Sequence, residues 1–200
     1  MKINEHLKLV ARNIVLVPYE SKHVERYHEW MKSEELQTLT ASEPLSLEQE
    51  YEMQQAWRND ENKCTFIVLD KSKYHGSVST EIESMVGDVN LFFNEADDNT
   101  TAEIEIMIAE PLARGRGFGK EALLCMMIFG FEELSIRRYT AKIGYSNETS
   151  LKMFSKLGFT EVSRSEVFKE VTLELRVMDS VIADFLQGSE LYCHEEYTHT

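Results

Sequence analysis

The sequence contains little cysteine and no long apolar run, and each scarcity excludes some classes of protein. Three of its 200 residues are cysteines, and Cys64, Cys125 and Cys193 lie far apart. This excludes a disulfide scaffold and a paired-cysteine metal site. No apolar run approaches the roughly 18 residues of a membrane span, and the N-terminus lacks the apolar core of a signal peptide. We therefore expect a reduced, cytoplasmic protein with no metal and no membrane partner.

Basic residues are scarce relative to acidic ones. Lys and Arg number 21 against 35 Asp and Glu, so the formal net charge is −14. Nucleic-acid binding needs a basic surface, and nucleic acid is therefore not an expected partner. The acidic balance is compatible with a cationic substrate such as an amine, although it also serves solubility alone.

Hydrophobic periodicity predicts one domain over residues 1–180, followed by a C-terminal tail over 181–200. We expect a brief helix that begins at Asp179 and continues into this tail, followed by a mobile terminus. The predicted strands are 13–19, 64–70, 85–94, 101–109, 138–143, 159–162 and 167–178. The predicted helices are 21–32, 46–59, 118–133 and 147–157, with Ser21 and Ser46 as caps. This order predicts a mixed α/β fold, a mostly antiparallel sheet of about seven strands with helices on both faces.

Three connections carry few structural signals. Residues 36–45 are read as a loop, in which Thr38, Thr40 and Ser42 either contact substrate or belong to a surface connection. Residues 71–84 are polar, and residues 95–100 are expected to form an acidic turn.

The histidines His194 and His199 in the C-terminal tail lack the spacing of a metal site.

The stretch over residues 104–122 organises the chain. A β-branched strand meets a proline, and a loop with Gly115, Gly117 and Gly119 then leads into an apolar helix. Alternating glycines let a backbone approach a ligand closely, and a helix start offers unpaired N–H donors to anions. Arg114 and Lys120 add positive charge beside it. The stretch therefore predicts a phosphate-binding loop.

Two common nucleotide motifs do not account for this loop. The nucleoside-triphosphate loop requires Ser or Thr after Gly-Lys, but Gly119-Lys120 is followed by Glu121. A dinucleotide fingerprint is formally present from Gly117 to Ala122, yet residues 110–116 separate it from the strand. The next strand also ends without the carboxylate that would bind ribose.

Two segments together resemble the GNAT superfamily of N-acetyltransferases. Arg114-Gly-Arg-Gly-Phe-Gly119 is similar to its Arg/Gln-x-x-Gly-x-Gly/Ala signature, and residues 147–159 are similar to its second cofactor segment. The resemblance covers about residues 15–178. It implies an acyl-CoA N-acyltransferase-like fold, an N-acetyltransferase domain over 1–180 and acetyl-CoA as cosubstrate. By resemblance, the cofactor-binding residues are Met107, Ile108, Arg114, Gly115, Arg116, Gly117, Phe118, Gly119, Lys120, Asn147 and Phe154.

Four further stretches resemble one branch of that superfamily, the N-acetyltransferase 9-like proteins. They are residues 28–36, 40–45, 64–70 and 85–92. The resemblance implies acetyl transfer to a protein or peptide amine, an N-terminus in particular, with tubulin as an associated partner.

The strand over 101–109 contains the candidate catalytic residues, Glu105 and then Glu103. Its alternation places both on one face and Ile104 and Ile106 on the other. A strand covered by helices should be apolar on both faces, because a buried unpaired carboxylate is costly. The glutamates therefore indicate an open cleft with a general base, a paired structural site or an exposed face.

Two candidates in the second cofactor segment have alternative roles. Asn147 contacts the pantetheine arm by resemblance, and it is also a natural helix N-cap. Phe154 stands where many relatives have a tyrosine as general acid. Either the thiolate leaves unassisted, or another group such as Tyr145 donates, or turnover is weak. The last case leaves a second hypothesis, an acetyl-CoA-binding module that acts through a partner such as microtubules.

Overall fold

The computed structural model describes residues 2–94, 98–188 and 193–198. Its strands are β1 (Leu7–Val10), β2 (Ile14–Pro18), β3 (Lys63–Asp70), β4 (Met85–Phe92), β5 (Thr101–Ile108), β6 (Arg138–Gly144), β7 (Thr160–Ser165), β8 (Glu170–Arg176) and β9 (Cys193–Glu196). Its α-helices are α1 (Val24–Met31), α2 (Glu34–Leu39), α3 (Leu47–Asn59), α4 (Val78–Ser84), α5 (Phe118–Glu133), α6 (Glu148–Lys156) and α7 (Asp179–Gly188). No helix in these described ranges is long and apolar enough to cross a membrane.

The strands form one sheet in the order β7-β8-β6-β5-β4-β3-β2-β1-β9. Among the described strands, β5 and β6 are the one parallel pair, and the other pairs are antiparallel. The parallel pair arises because α5 connects β5 to β6 as a crossover, which returns the chain in the same direction. The sheet therefore changes its mode of pairing at its middle.

Two hydrophobic clusters cover the two faces of the sheet. On one face, α5 is buried along most of its length, and Phe129 packs edge-to-face on Phe66 at a centroid distance of 5.7 Å. On the other face, Tyr27 and Trp30 of α1 pack with Ile67 of β3. The mixed, mostly antiparallel sheet with helices on both faces is confirmed.

The sheet contains two strands that the sequence analysis did not predict. β1 is four residues long and pairs with β2, whereas the charged β9 pairs with β1 through its backbone. Lys8 Nζ lies 2.8 Å from Glu195 Oε2 across that pair. Such a strand has no hydrophobic alternation to reveal it, because its four residues are exposed. The expectation of a mobile terminus was therefore wrong for residues 193–196, while His199 lies outside the described residues.

Two connections contain helices that were not predicted. Ser33 caps α2 by accepting a hydrogen bond from the amide of Leu36, so the loop predicted over 36–45 begins only after Leu39. Ser77 and Thr80 form a capping box at α4 inside the polar segment. Both helices are short and carry few apolar residues, so their caps are stronger signals than their periodicity.

Smaller differences concern the ends of elements. Ser21 does not cap a helix directly: a 3₁₀ turn over Ser21–His23 precedes α1. The domain boundary expected at residue 180 stays a prediction. Of the acidic turn over 95–100, residues 95–97 lie outside the described residues, and Asp98 accepts hydrogen bonds from the Thr100 amide and hydroxyl.

Candidate active site

The parallel strands β5 and β6 pair over three residues only. Thr101, Ala102 and Glu103 face residues 138–140, and the two fully described strands share no further register pairs although both continue. Their divergence leaves an opening in the middle of the sheet. A cavity of about 510 Å³, called the central cavity below, contacts both strands there.

The central cavity is lined by residues from several elements. They come from β5, β6 and α6, from α1, α3, β3 and β4, and from the segment over 38–42. The predicted site residues that line it are Glu103, Glu105, Met107, Asn147 and Phe154. The predicted residues outside its lining are Ile108, Arg114, Gly115, Arg116, Gly117, Phe118, Gly119 and Lys120.

The two glutamates of β5 have different surroundings. Glu103 Oε2 accepts hydrogen bonds from Lys142 Nζ at 2.8 Å and from Asn94 Nδ2 at 3.3 Å. Glu105 lies opposite Asn90, and the described residues provide it with no hydrogen bond or ion pair. Glu103 is therefore held in an ion pair, whereas the carboxylate of Glu105 is available to a substrate.

Glu105 is accessible to solvent through the cavity, yet the pKa of its carboxyl group is higher than that of an ordinary glutamate. Its pKa is raised to about 7, mainly by loss of hydration and also by the negative charges of Glu103 and Asp88, while the positive charges of Lys63 and Lys142 act in the opposite direction. A carboxyl group with a pKa near neutrality is suited to accept a proton from an ammonium group. The predicted role of Glu105 as general base therefore agrees with its surroundings and stays a prediction.

The glycine loop has the backbone that a phosphate site requires. Gly115 and Gly117 have φ values of +73° and +87°, a region that side chains disfavour, and open space surrounds both. Gly117 is the N-cap of α5 and offers no side-chain cap, so the first amides of α5 have no intrahelical partner. A Cβ at Gly119 would lie 3.4 Å from Ile108 Cγ1, which shows how closely α5 approaches β5.

The loop arginines are engaged with carboxylates. Arg114 Nη1 lies 2.8 Å from Glu35 Oε1, and Arg116 Nη1 lies 2.8 Å from Asp70 Oδ2. Arg116 also stacks on the ring of Phe118, 4.4 Å from its centroid. These pairs attach the loop to α2 and β3. The first amides of α5, which have no side-chain cap, are further donors at this loop.

Two predicted residues of the second cofactor segment, Asn147 and Phe154, line the cavity. Asn147 caps α6, because its Oδ1 accepts a hydrogen bond from the Ser150 amide at 3.1 Å. Phe154 is buried and packs edge-to-face on Phe159 at 4.9 Å. The Tyr145 hydroxyl donates to the carbonyl of Ser165 and does not line the cavity. The position of Tyr145 does not favour it as the general acid.

Sequence reasoning missed a group of side chains that shares the sheet face of Glu105. Asp88 is buried in β4, and burial raises its pKa to about 6 despite a hydrogen bond from Asn90. Lys63 of β3 and Trp57 of α3 complete the group. One signal in the sequence could have revealed this group. Lys63 and Asp88 are charged, yet they belong to strands whose patterns predict burial on both faces. Thr38, Thr40 and Ser42, flagged as substrate contacts or surface connection, line the cavity.

A protein-family model described as an acetyltransferase (GNAT) domain matches residues 13–160. The chain belongs to the GNAT acetyltransferase family. A curated relative from Nematostella vectensis, an N-acetyltransferase 9-like protein, is 66% identical over 174 residues, which are 87% of this chain and 88% of the relative. A human relative, alpha/beta-tubulin-N-acetyltransferase 9, is 56% identical over 182 residues, covering 90% of this chain and 88% of the relative. The chain is an N-acetyltransferase of this family.

Solved structures show the same fold at low sequence identity. Spermidine N-acetyltransferase from Vibrio cholerae, in complex with CoA and spermine, has a TM-score of 0.68 and 19% identity. The match covers 90% of this chain and 99% of that chain. A GNAT acetyltransferase from Bacillus anthracis has a TM-score of 0.68 and 17% identity, covering 84% of this chain and 98% of its own.

Proposed function

We propose that this N-acetyltransferase transfers the acetyl group of acetyl-CoA to the α-amino group of a protein, with tubulin as the acceptor. The observation that carries the proposal is Glu105, a carboxylate of raised pKa exposed to the central cavity beside the opening between β5 and β6. The choice of tubulin rests on relatives named alpha/beta-tubulin-N-acetyltransferase 9, at 56% identity in the human protein and 49% in that of Drosophila melanogaster.

The residues present fit acetyl-CoA. The left-handed glycines and the uncapped start of α5 offer backbone amides, which suits a pyrophosphate. Met107 and Asn147 both line the central cavity, where they would contact a pantetheine arm. When bound, acetyl-CoA supplies the acetyl group in activated form as a thioester.

In this proposal Glu105 acts on the incoming amine. A protein α-amino group has a pKa of about 7.7 to 8 and is largely protonated at neutral pH. Glu105, with its pKa of about 7, removes a proton from the ammonium group directly or through water, which leaves a nucleophilic amine in the cavity. The segment over 38–42 and the exposed ring of Phe168 also line the cavity and are available to contact the incoming amine.

The proposal does not require a general acid at residue 154. Phe154 has no proton to donate, and its buried ring serves packing. A thiol has a pKa of about 8.5, so its thiolate is a fair leaving group near neutrality without prior protonation. The buried aromatic ring is therefore compatible with turnover.

The test is acetyl transfer to peptides with the N-terminal sequences of α- and β-tubulin, compared with scrambled peptides. Glu105→Gln keeps the size of the side chain and removes the base, so we expect kcat/KM to fall by about a hundredfold or more. Glu103→Gln is the matched control and retains most activity. Full activity in Glu105→Gln would contradict the assigned base. Binding of acetyl-CoA without transfer to any peptide would favour the partner-binding module instead.

A further inference from the structure

Lys63 is a lysine inside the central cavity to which no role has been assigned. It is the first residue of β3 and lies opposite Phe92 of β4, which in turn lies opposite Glu103 of β5. The side chain therefore shares a sheet face with both catalytic candidates, two strands away. Lys63 is 4% exposed and lines the same continuous cavity as Glu105, Asn147 and Phe154.

Aromatic rings, rather than carboxylates, surround the amino group of Lys63. Nζ lies 3.0 Å from the centroid of the Trp57 ring and 4.2 Å from that of Phe92. Within the described residues, Nζ has no hydrogen bond and no ion pair. The ring faces attract the ammonium form of Lys63 and hold Nζ at the cavity, without the hydrogen bond that a carboxylate would accept from it.

Burial favours loss of that proton and outweighs the carboxylates nearby. Burial lowers the pKa of Lys63 to about 8, although Asp88 of β4 and Glu105 of β5 both favour the charged form. Asp60, after α3, acts in the same direction as the two carboxylates. At pH 8 about half of the Lys63 amine is neutral, against less than a hundredth of an ordinary lysine with a pKa of about 10.4.

A second lysine lines the same cavity and serves as an internal comparison. Lys142 of β6 is within 2.8 Å of Glu103 Oε2, and this hydrogen bond raises the pKa of Lys142. Its side chain is about half exposed, at 48%. Lys142 is therefore more accessible than Lys63, yet it remains protonated and is a poor nucleophile.

We infer that Lys63 is a self-acetylation site: the chain transfers an acetyl group to the Nζ of its own Lys63 when no other acceptor occupies the central cavity. Neutral Nζ forms a bond to the acetyl carbonyl carbon, and the bond from that carbon to the CoA sulfur breaks. Glu105 accepts, through water, the proton that nitrogen loses, and the thiolate takes a proton from solvent as it leaves. The products are one acetyl-lysine and one CoA thiol. The inference rests on acetyl-CoA entering this cavity, as in the proposed function.

Self-acetylation would change the catalytic group itself. The positive charge of Lys63 lowers the pKa of Glu105. An acetylated Lys63 is neutral, so the pKa of Glu105 rises and a larger fraction of that carboxyl is protonated at neutral pH. The modified enzyme therefore reaches full activity only at higher pH. Because Lys63 is acetylated when no other acceptor occupies the cavity, the activity of the enzyme then depends on the earlier supply of acceptor.

The experiment incubates the full chain with deuterium-labelled acetyl-CoA at pH 8 without acceptor, followed by digestion and mass spectrometry of each lysine. We expect Lys63 to be labelled about a hundredfold faster than Lys142, from the difference in neutral amine. The rate should be independent of protein concentration, because a buried amine is reached only from its own cavity. It should also fall in Glu105→Gln.

Three results would overturn the inference: no label at Lys63, labelling at the same rate in urea-unfolded chain, or a rate that rises with protein concentration. Lys63→Arg keeps the charge and should lose this label only. Peptide acetylation, measured in parallel, separates the two proposals. Unlabelled Lys63 with acetylated peptide defeats the self-acetylation alone, whereas labelled Lys63 with untouched peptides supports self-acetylation and defeats the assigned acceptor.

Discussion

Glu103 and Glu105 are chemically identical side chains two positions apart, and their neighbours separate them. Lys142 neutralises the first, while the second faces Asn90, whose amide group is already bonded to Thr65 and Asp88. Because a lone carboxylate near other carboxylates resists ionisation, Glu105 is the group that can exchange a proton near neutral pH.

The pH dependence of activity tests this difference at the level of single residues. Glu105 works as a base only when ionised, so kcat/KM should rise with pH through about 7. Glu103→Gln removes one of the charges that raise the pKa of Glu105 and frees Lys142, and both effects lower that pKa. We therefore expect the rise to move to lower pH in Glu103→Gln, in rates measured from pH 5 to 9.

The control for this profile is Lys63→Met. It removes a positive charge that lowers the pKa of Glu105, so the rise should move to higher pH. Shifts in the opposite directions, or none, would mean that another group controls the profile.

At the scale of elements, the glycine loop and α5 form one unit. The loop has left-handed backbone angles at Gly115 and Gly117, and Gly117 starts α5 without a side-chain cap. Gly117→Val costs about 1 to 2 kcal/mol in backbone strain. It should also abolish the rise in melting temperature that acetyl-CoA produces in the unmodified chain.

Gly76→Val is the matched control for the loop. Gly76 has a φ of +82° and open space around it, like Gly117, but it lies between β3 and α4. Its variant should lose similar stability and keep the acetyl-CoA-dependent rise, measured by thermal melts with and without cosubstrate. Equal loss of the rise in both variants would place the pyrophosphate elsewhere.

The start of α6 contains a second test at this scale. Asn147→Ala removes the cap and should cost about 1 kcal/mol of stability. Asn147→Ser retains a capping oxygen and lacks the amide NH₂ group. If that group contacts the pantetheine arm, Ser restores the stability and still shows a raised KM for acetyl-CoA.

Steady-state kinetics and urea melts of the two Asn147 variants together show whether Asn147 contacts the cosubstrate or only caps α6. A serine variant with ordinary stability and ordinary KM would leave Asn147 as a cap alone.

At the scale of the whole molecule, the C-terminal residues close the sheet over the N-terminal part of the chain. β9 pairs with β1, and the next residue, Tyr197, is buried. Its hydroxyl lies 2.8 Å from Glu81 Oε1, which also accepts a 2.7 Å hydrogen bond from His23. This contact joins residues 116 positions apart in the chain.

Removing that hydroxyl should therefore lower the stability of the whole fold. Tyr197→Phe leaves Glu81 short of a buried hydrogen-bond donor, and we expect a loss of about 1 to 3 kcal/mol in the free energy of unfolding. Tyr51→Phe in α3, where the side chain is largely exposed, should change stability little. Denaturant titrations of both variants compare them, and equal stabilities would show that the contact is unimportant.

Local patterns predicted the elements that bury apolar surface, and missed those that do not. β3 and β4 read as strands because their residues are apolar and β-branched, and α5 read as buried because its residues are apolar all round. β9 and α4 are polar and short, and they depend on a partner strand or a cap. Such elements leave a weak periodic signal, because their stability comes from distant contacts.

The sequence by itself determined the order of the main elements, the glycine loop before α5 and the pair of glutamates in β5. These are local properties, since propensity, alternation and backbone freedom act between near neighbours. Only the tertiary structure decided which glutamate is available, because Lys142 comes from a strand 39 positions away. It also brought Lys63, Trp57 and Asp88 to one cavity, because sheet register and helix packing set the distances between residues remote in the chain.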